Sequence, residues 1–392
     1  MRILFAAQLL PFPLDAGPKV RAYYVLRQLA EAGHELTLLC FVRPEDRPAH
    51  LDELGRYCRA VETVPIARSR FRDLRDGAMS LVSDTPFLIR RDRRPAMNAR
   101  LARVLAAGTT DAFHADQLWM APLAELCGGV GLKVLDQHNA VFKVPERLAA
   151  HHPNPAARAL LRMEASRLAR FERATVDAFD DVVWVSREDR DAVCGPTAAR
   201  RHHVIPIAVD PRANPPVPRP SPFRVTFLGG LHWPPNADGV RWFAEHVWPS
   251  VSRAVPKATF TVIGKGSARA LDSNPPARID VRGYVEDLRG LLAETAAFVV
   301  PLRTGAGMRV KILDAWCWGL PIVSTTVGAE GIDVAPGENI LLADDPSAFA
   351  DALVRMLREG TLSCRIASNG RATVEARYDW RKVYEAWSQV YP

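Results

Sequence analysis

The chain has 392 residues, 48% of them apolar and 24% charged, the balance of a soluble globular protein with length for two ordinary cores. Its net charge is +7, from 51 basic against 44 acidic residues, and no apolar run reaches the length of a membrane span or a secretory leader. Six scattered cysteines, Cys40, Cys58, Cys127, Cys194, Cys317 and Cys364, have no paired spacing. They exclude a zinc module or disulfide framework and read as reduced, mostly buried thiols in a cytoplasmic protein.

The opening elements are a short apolar strand, Arg2 to Ala7, and a loop with Pro11, Pro13 and Gly17. A helix follows with Val20, Tyr23, Tyr24, Leu26 and Leu29 on one side, stopped at Gly33, and then a strand from Glu35 to Val42. This strand-helix-strand order builds parallel sheets. Next comes the arginine excess, concentrated between Arg68 and Arg103 and including Arg90, Arg91, Arg93 and Arg94. It reads as a solvated face, with contact to an inner membrane face or an anionic acceptor as the alternative use. Aromatics interleaved with the basic residues are absent, so no nucleic-acid partner is expected.

Further buried strands are expected at Lys133 to Asp136 and Asp181 to Val185, with a long helix over about Pro155 to Phe179 between them. Residues 206–222 hold seven prolines in seventeen positions, a composition that sustains neither helix nor central strand. The alternation then restarts. Strands are expected at Arg224 to Gly229, Ala258 to Gly264, Arg278 to Gly283, Ala297 to Leu302 and Pro321 to Thr325, and helices at Ala237 to Val251 and Met308 to Trp318. The domain plan is an N-terminal Rossmann-like domain over 1–205, a hinge over 206–222, a second Rossmann-like domain over 223–374, and a C-terminal helix over 375–392 that packs back on the first. The fold class is α/β with two doubly wound domains, and such sheets bind ligands at the carboxyl ends of their strands, so the expected site is a cleft between the two.

The stretch VVPLRTGAGMRVKILDAWCWGLPIVSTTVGAEG, from Val299 to Gly331, carries the chemistry. A strand enters a turn of Thr304, Gly305, Ala306 and Gly307, and a helix begins directly after it. Glycines let backbone approach a ligand, and the first helical N–H groups and the dipole favour an anion. Arg309 in the first turn is unfavourable to that helix unless it meets an anion. Lys311 and Asp314 share a helix face. The same residues fit either a diphosphate and ribose site or an ordinary crossover helix with a Lys311–Asp314 pair.

This segment resembles the donor-binding region of the GT4 family of retaining glycosyltransferases, which have the GT-B fold. The likeness is to the branch with the pattern Pro-Leu-Arg-x-Gly-x-Gly-x-Arg-x-Lys, here Pro301 to Lys311, followed by Gly-Leu-Pro and Gly-x-Glu-Gly. The resemblance implies that Asp314, standing for the usual Glu, holds the donor ribose. It further implies that Gly305, Ala306, Gly307 and Met308 line the donor while Arg309 and Lys311 neutralise its diphosphate. Most of the family has a sugar-contacting Glu where this chain has Ala306. The stretch Pro11 to Arg21 resembles the opening loop, with Gly17 at the close approach. Phe227 to Asn236 resembles the first strand-loop of the donor domain, with Gly229 and Gly230 but no Arg or Lys before Val240. Gly283, Tyr284 and Val285 resemble the segment that edges the nucleobase, and Val204 to Asp210 resembles the interdomain segment.

In the N-terminal half, His138 follows Asp136 and Gln137 at a strand end, where the family carries an active-site histidine. His34, His202 and His203 read as structural, and Trp233, Trp316 and Trp318 as packing residues. The implied reaction moves a sugar from a UDP- or GDP-sugar to an acceptor hydroxyl with retention, as a hexosyltransferase. No Asp-x-Asp motif lies in the donor region, so neither a metal nor a cofactor beyond the donor substrate is expected. The acceptor is a glycan, a lipid-linked molecule or a small molecule, with peripheral contact at the inner membrane face in the lipid case. The alternatives are a non-hydrolysing nucleotide-sugar epimerase and a non-catalytic nucleotide-sugar-binding partner; a nicotinamide dehydrogenase is disfavoured because no Gly-x-Gly-x-x-Gly follows the first strand.

Overall fold

The computed structural model describes residues 1–196, 201–218, 223–266 and 278–392. The chain forms two compact units: Met1–Ala208 with Ala306–Met308 and Trp380–Pro392, and Val209–Gly305 with Arg309–Asp379. The described part of the proline-rich segment, 206–218, is shared between them, and positions 219–222 lie outside the described residues.

The first unit is built on a seven-stranded sheet in the order β3-β2-β1-β4-β5-β6-β7. The strands are β1 (Arg2–Ala7), β2 (Glu35–Val42), β3 (Ala60–Pro65), β4 (Ala112–Asp116), β5 (Leu132–Gln137), β6 (Asp181–Trp184) and β7 (His202–Val204). Every neighbouring pair is parallel. Strands covered on both faces read as continuous apolar runs, as β1 does; β4 is buried along its whole length although His114 and Asp116 lie within it. The Gly17–Glu31 helix follows β1 and stops as expected: Gly33 takes a left-handed φ of 88°, and His34 N–H donates to the Leu29 carbonyl. The long Pro155–Val176 helix begins at Asn154, whose side chain accepts from the Ala156 and Ala157 N–H groups. His202 and His203 make the edge strand β7, and His203 Nε2 meets Asp181 Oδ1 at 2.8 Å.

Strand order reverses between β1 and β4, so the carboxyl ends of these two strands open the crevice where such sheets bind ligands. The C-terminal segment of this unit packs by its aromatic rings. Trp380 stacks on Tyr24 with centroids 5.3 Å apart, and the Tyr391 hydroxyl lies 2.8 Å from His114 Nδ1.

The second unit has a six-stranded parallel sheet in the order β10-β9-β8-β11-β12-β13. Its strands are β8 (Arg224–Leu228), β9 (Thr259–Ile263), β10 (Ile279–Gly283), β11 (Thr295–Val300), β12 (Ile322–Ser324) and β13 (Leu341–Leu342). Here the order reverses between β8 and β11. The helix expected over Ala237 to Val251 is interrupted. It runs as Pro234–Trp242, a π turn over Phe243–Val247, and Trp248–Ala254, because Pro249 has no N–H to continue the ladder. The helix expected from Met308 is shorter, Val310–Cys317, with Arg309 as its N-cap in extended conformation (φ −95°, ψ 90°).

The Val310–Cys317 helix packs on the Gly360–Arg377 helix where Trp316 crosses Gly370. Trp316 is fully buried and its Nε1–H donates to the Asn339 carbonyl at 3.1 Å, so its ring cannot turn away. An alanine Cβ at Gly370 would collide with that ring. Gly370→Ala is therefore expected to cost about 1–3 kcal/mol, the range for overpacking a close-packed core. Urea denaturation followed by tryptophan fluorescence checks it, and an unchanged midpoint would refute the account of this contact.

Candidate functional site

In the second unit, the loops after β8 and β11 carry most of the residues expected to hold the donor. Lys311, on the first turn of the Val310–Cys317 helix, reaches the loop after β8: its Nζ donates to Asn236 Oδ1 at 3.0 Å and sits 4.3 Å from the centre of the Phe227 ring. A Cβ on Gly229 would fall 2.6 Å from that Nζ, so glycine is what admits the lysine. Beside it, Arg309 folds its guanidinium over Gly305, where a Cβ would lie 2.7 Å from the terminal nitrogen. Gly305 and Gly307 adopt φ of 122° and 76°, conformations that disfavour any side chain. Thr304 is fully buried, and its hydroxyl has no partner among the described residues. Two cations thus converge at the point where strand order reverses.

The electrostatics follow from this crowding. Burial, and secondarily Arg309, pull the Lys311 ammonium down to about 7. Burial pushes the Asp314 carboxyl up to about 7. Lys311 and Asp314 do not form the ion pair that a plain crossover helix would have made, since Lys311 turns to Asn236. Asp314 is half-buried, and its carboxylate has no hydrogen-bond partner among the described residues. The chain places no Arg or Lys in 229–240, as expected from sequence, yet Lys311 fills that space from another element.

Gly283 and Tyr284 flank the same loops. The Gly264 N–H donates to the Gly283 carbonyl at 2.7 Å, and the Leu231 N–H donates to the Lys265 carbonyl at 2.7 Å. Tyr284 is 52% exposed, and the Lys265 ammonium stands 5.2 Å from its ring centre. Val285 is half-buried beside it. Gly230 packs so tightly that a Cβ would strike the His232 ring. Trp233, expected as a packing residue, is instead 47% exposed at the cap of the Pro234–Trp242 helix. Lys265 and Asn236 are site neighbours that sequence patterns did not single out.

The first unit assembles a second constellation at the carboxyl ends of β4 and β5. His138 places Nε2 2.9 Å from Asp116 and 3.6 Å from Asp136, while its Nδ1 lies 3.2 Å from Gln117 Nε2. Asp136 is gripped by Arg21 from the Gly17–Glu31 helix through three contacts of 2.7–2.9 Å. Arg21 also donates to the Ile205 and Pro206 carbonyls at 2.8 and 3.2 Å, and its guanidinium lies 5.9 and 5.6 Å from the Tyr384 and Trp387 ring centres. The turn after His138 is fixed by Glu172, which accepts from the Val141 and Phe142 N–H groups, and by Asp189, which accepts from Ala140. Gly17 begins its helix, and Gly307, in the 306–308 segment of this unit, comes so near that a Cβ would lie 2.5 Å from the His138 carbonyl oxygen.

Burial opposes charge on His138, but Asp116 and Asp136 prevail and push it up to about 9. Burial also tends to neutralise Asp136, yet Arg21 and His138 hold it well below the usual carboxylate range. His114, buried beside them, is driven down to about 3 and stays neutral. Asp116 is pushed above the usual carboxylate range by burial, against the pull of His138 and Arg21, while Arg21, Asp136 and His138 hold their charge. His114, Asp116 and Asp136 bring potential ligand atoms within 4.8 Å of one another. A metal ion there would have to displace the guanidinium from Asp136 and the imidazolium from Asp116, so this donor set suits hydrogen bonding better than coordination.

Because the folded-state value of His138 is raised above its unfolded 6.5, its stabilisation is complete below pH 6.5 and is lost as pH rises through about 9. Relative to His138→Gln, the wild type is expected to lose up to about 3 kcal/mol between pH 6.5 and 9.5, since other groups such as Lys311 titrate alike in both proteins. Denaturation curves of both proteins across this range check it, and parallel profiles would contradict the charged histidine.

Comparison with known proteins agrees with the architecture. Residues 222–359 match the family model described as Glycosyl transferases group 1. The chain is 21% identical over 406 residues to a Klebsiella pneumoniae protein named "Uncharacterized 44.6 kDa protein in cps region", covering 96% of each. It is 26% identical over 144 residues to the lipopolysaccharide core biosynthesis glycosyltransferase LpsE of Rhizobium meliloti, covering 35% of this chain and 42% of that protein. Among solved structures, the Anabaena protein Alr3699/HepE in complex with UDP and glucose aligns with a TM-score of 0.67 at 15% identity, over 99% of this chain and 98% of that one. The fold is GT-B, two Rossmann-like units with parallel sheets of seven and six strands. The solved structures share the fold, and residues 222–359 resemble the group 1 glycosyltransferase model.

Proposed function

We propose that the protein is a retaining, metal-independent hexosyltransferase of the GT4 type, moving a sugar from a UDP- or GDP-sugar to an acceptor hydroxyl. The observation that carries this reading is the convergence of Lys311 Nζ on Gly229 and of the Arg309 guanidinium on Gly305 where the second sheet reverses its order. Two fixed cations at that point suit a diphosphate, the group on which negative charge grows as the glycosidic bond lengthens. The match of 222–359 to the group 1 model falls on this unit, and the Anabaena protein of the same fold was solved with UDP and glucose; both support the reading.

In this reading Arg309 and Lys311 stabilise the departing diphosphate, and the turn of Gly305, Ala306, Gly307 and Met308 admits it closely, together with Gly229, Gly230 and Gly17. Asp314 accepts hydrogen bonds from the ribose, which suits a carboxylate with no partner of its own. Gly283, Tyr284 and Val285 edge the base. His138, held as an imidazolium, donates to the donor sugar or to the acceptor. With Ala306 in place of a carboxylate, sugar recognition falls to other groups. The acceptor is a glycan, a lipid-linked molecule or a small molecule, and the reaction belongs on the cytoplasmic side.

Incubation with a panel of UDP- and GDP-sugars and candidate acceptors, followed by proton NMR of the anomeric signals, tests the proposal. The expected product carries the sugar in the configuration it had in the donor. Inverted product would overturn retention, and an epimerised donor with no transfer would establish the epimerase instead.

A further inference from the structure

Gln117, directly after β4, holds a backbone conformation that suits glycine. Its φ is 71° and its ψ 160°, a region where a Cβ crowds the backbone and other residues stay only under constraint. The constraint comes from both sides. The Gln117 N–H donates to the Asp136 carbonyl at 2.9 Å, and the Gln117 carbonyl accepts from the Met120 N–H at 3.1 Å in the Leu118–Leu126 3-10 helix. A glycine would make the same two bonds without the strain, so the turn alone does not call for glutamine.

The side chain supplies the reason. Gln117 is 5% exposed, and its amide meets His138 Nδ1 at 3.2 Å. His138 Nε2 stands 2.9 Å from Asp116, yet it makes no aligned hydrogen bond among the described residues. One ring nitrogen is thus fixed by Gln117, and the hydrogen on the other is left to give. The remaining groups about the ring are Asp136 at 3.6 Å, Arg21, which grips Asp136, and neutral His114. Tyr384 and Tyr391 behind them are kept neutral by burial, and Glu172 meets Gln137 and the turn after His138.

An amide can face an imidazole in two senses. Its oxygen accepts from a charged ring and its nitrogen donates to a neutral one, and it fills the same space either way. The carboxyl groups of Asp116 and Asp136 on the Nε2 side favour the charged ring, and so the oxygen. We propose that Gln117 is a positioning residue, whose amide oxygen accepts from His138 Nδ1 and so keeps the Nε2 hydrogen turned toward the substrate. This role rests on the reading of His138 as the group that donates to the donor sugar or the acceptor. The backbone strain is what brings the amide against the ring.

The test follows the ring by NMR of protein labelled with nitrogen-15 histidine, the His138 signals being those missing from His138→Gln. In Gln117→Gly the ring should lose its proton about one to two pH units lower than in the wild type, the effect of removing a hydrogen bond to a charged group. In Gln117→Glu, which keeps an acceptor of the same length, it should titrate at or above the wild-type value. Release of UDP from UDP-glucose, or of GDP from GDP-mannose, should fall by up to about 100-fold in Gln117→Gly and largely persist in Gln117→Glu. Gln117→Ala loses the same amide but keeps a Cβ, so it should unfold at lower urea than Gln117→Gly. A His138 midpoint that stays or rises in Gln117→Gly, an unchanged rate in that variant, or a Gln117→Ala as stable as Gln117→Gly would overturn the proposal. A wild type that turns over no nucleotide sugar would overturn the transferase reading instead, and the titration would still decide whether Gln117 holds His138.

Discussion

Replacing Arg21 with alanine is expected to cost about 3–5 kcal/mol, the penalty for leaving a buried carboxylate without its counter-charge. Arg21 and Asp136 are both fully buried, and the guanidinium also ties the Ile205 and Pro206 carbonyls and the Tyr384 and Trp387 rings to the first sheet. The partner substitution Asp136→Asn should cost less, since it leaves a neutral amide able to accept from the guanidinium. Arg21→Met/Asp136→Leu should regain much of the loss, because two apolar groups of similar size need no mutual compensation. The readout is urea denaturation as a double-mutant cycle whose single arms are Arg21→Met and Asp136→Leu, taking the transition of the first unit where the two units unfold separately. Additive effects of the two single changes would show that the pair is not coupled and that its role here is misassigned.

Lys311→Met and Arg309→Met are each expected to lower the transfer rate by about 10²–10³-fold, the usual effect of removing one fixed group that meets developing negative charge. The fold should survive, since Lys311 makes its bonds to one side chain and one ring at the edge of the site. Steady-state rates with the identified donor check this, and full activity in both variants would remove these residues from the mechanism. The pH dependence has a definite sign. With Lys311 near 7 in the free protein, an anionic donor raises its value, binding takes up a proton, and affinity falls as pH rises through about 7. Asp314, also near 7, must be ionised to accept from the ribose, so affinity falls as pH drops through the same region. The result is a bell, whose alkaline arm should vanish in Lys311→Met and whose acid arm should vanish in Asp314→Asn.

Much of the fold is legible in the sequence because parallel strands buried on both faces are apolar runs and their helices end in visible signals. β1, β2, β5, β6, β8, β9 and β11 and the stop at Gly33 could all be read that way. β3, β4 and β7 could not. Polar residues interrupt them, Glu62 in β3, His114 and Asp116 in β4 and His202 and His203 in β7, each answered by partners distant in sequence. The glycine turn and the two cations after β11 were visible as a local pattern. Their convergence with Gly229 and Asn236 was not, because Lys311 and Asn236 are 75 positions apart. Arg21 was hidden in a family-like loop, although an arginine embedded in the apolar stripe of Val20, Tyr24 and Leu29 was a usable sign that a buried acid awaited it. The arginine-rich stretch was read as a solvated face. Instead Arg68 pairs with buried Asp92, Arg91 is half-buried against the same carboxylate, and the outward side of the Arg70–Leu81 helix is apolar.

The most direct test of the central claim is the unfolding temperature of the wild type and Lys311→Met, each measured against a panel of UDP- and GDP-sugars. A ligand that binds only the native state raises that temperature by mass action. The account predicts that one nucleotide sugar stabilises the wild type selectively and that the shift is lost in Lys311→Met. No shift with any nucleotide sugar, or an equal shift in both proteins, would contradict a donor site built on Lys311, Arg309 and Asp314.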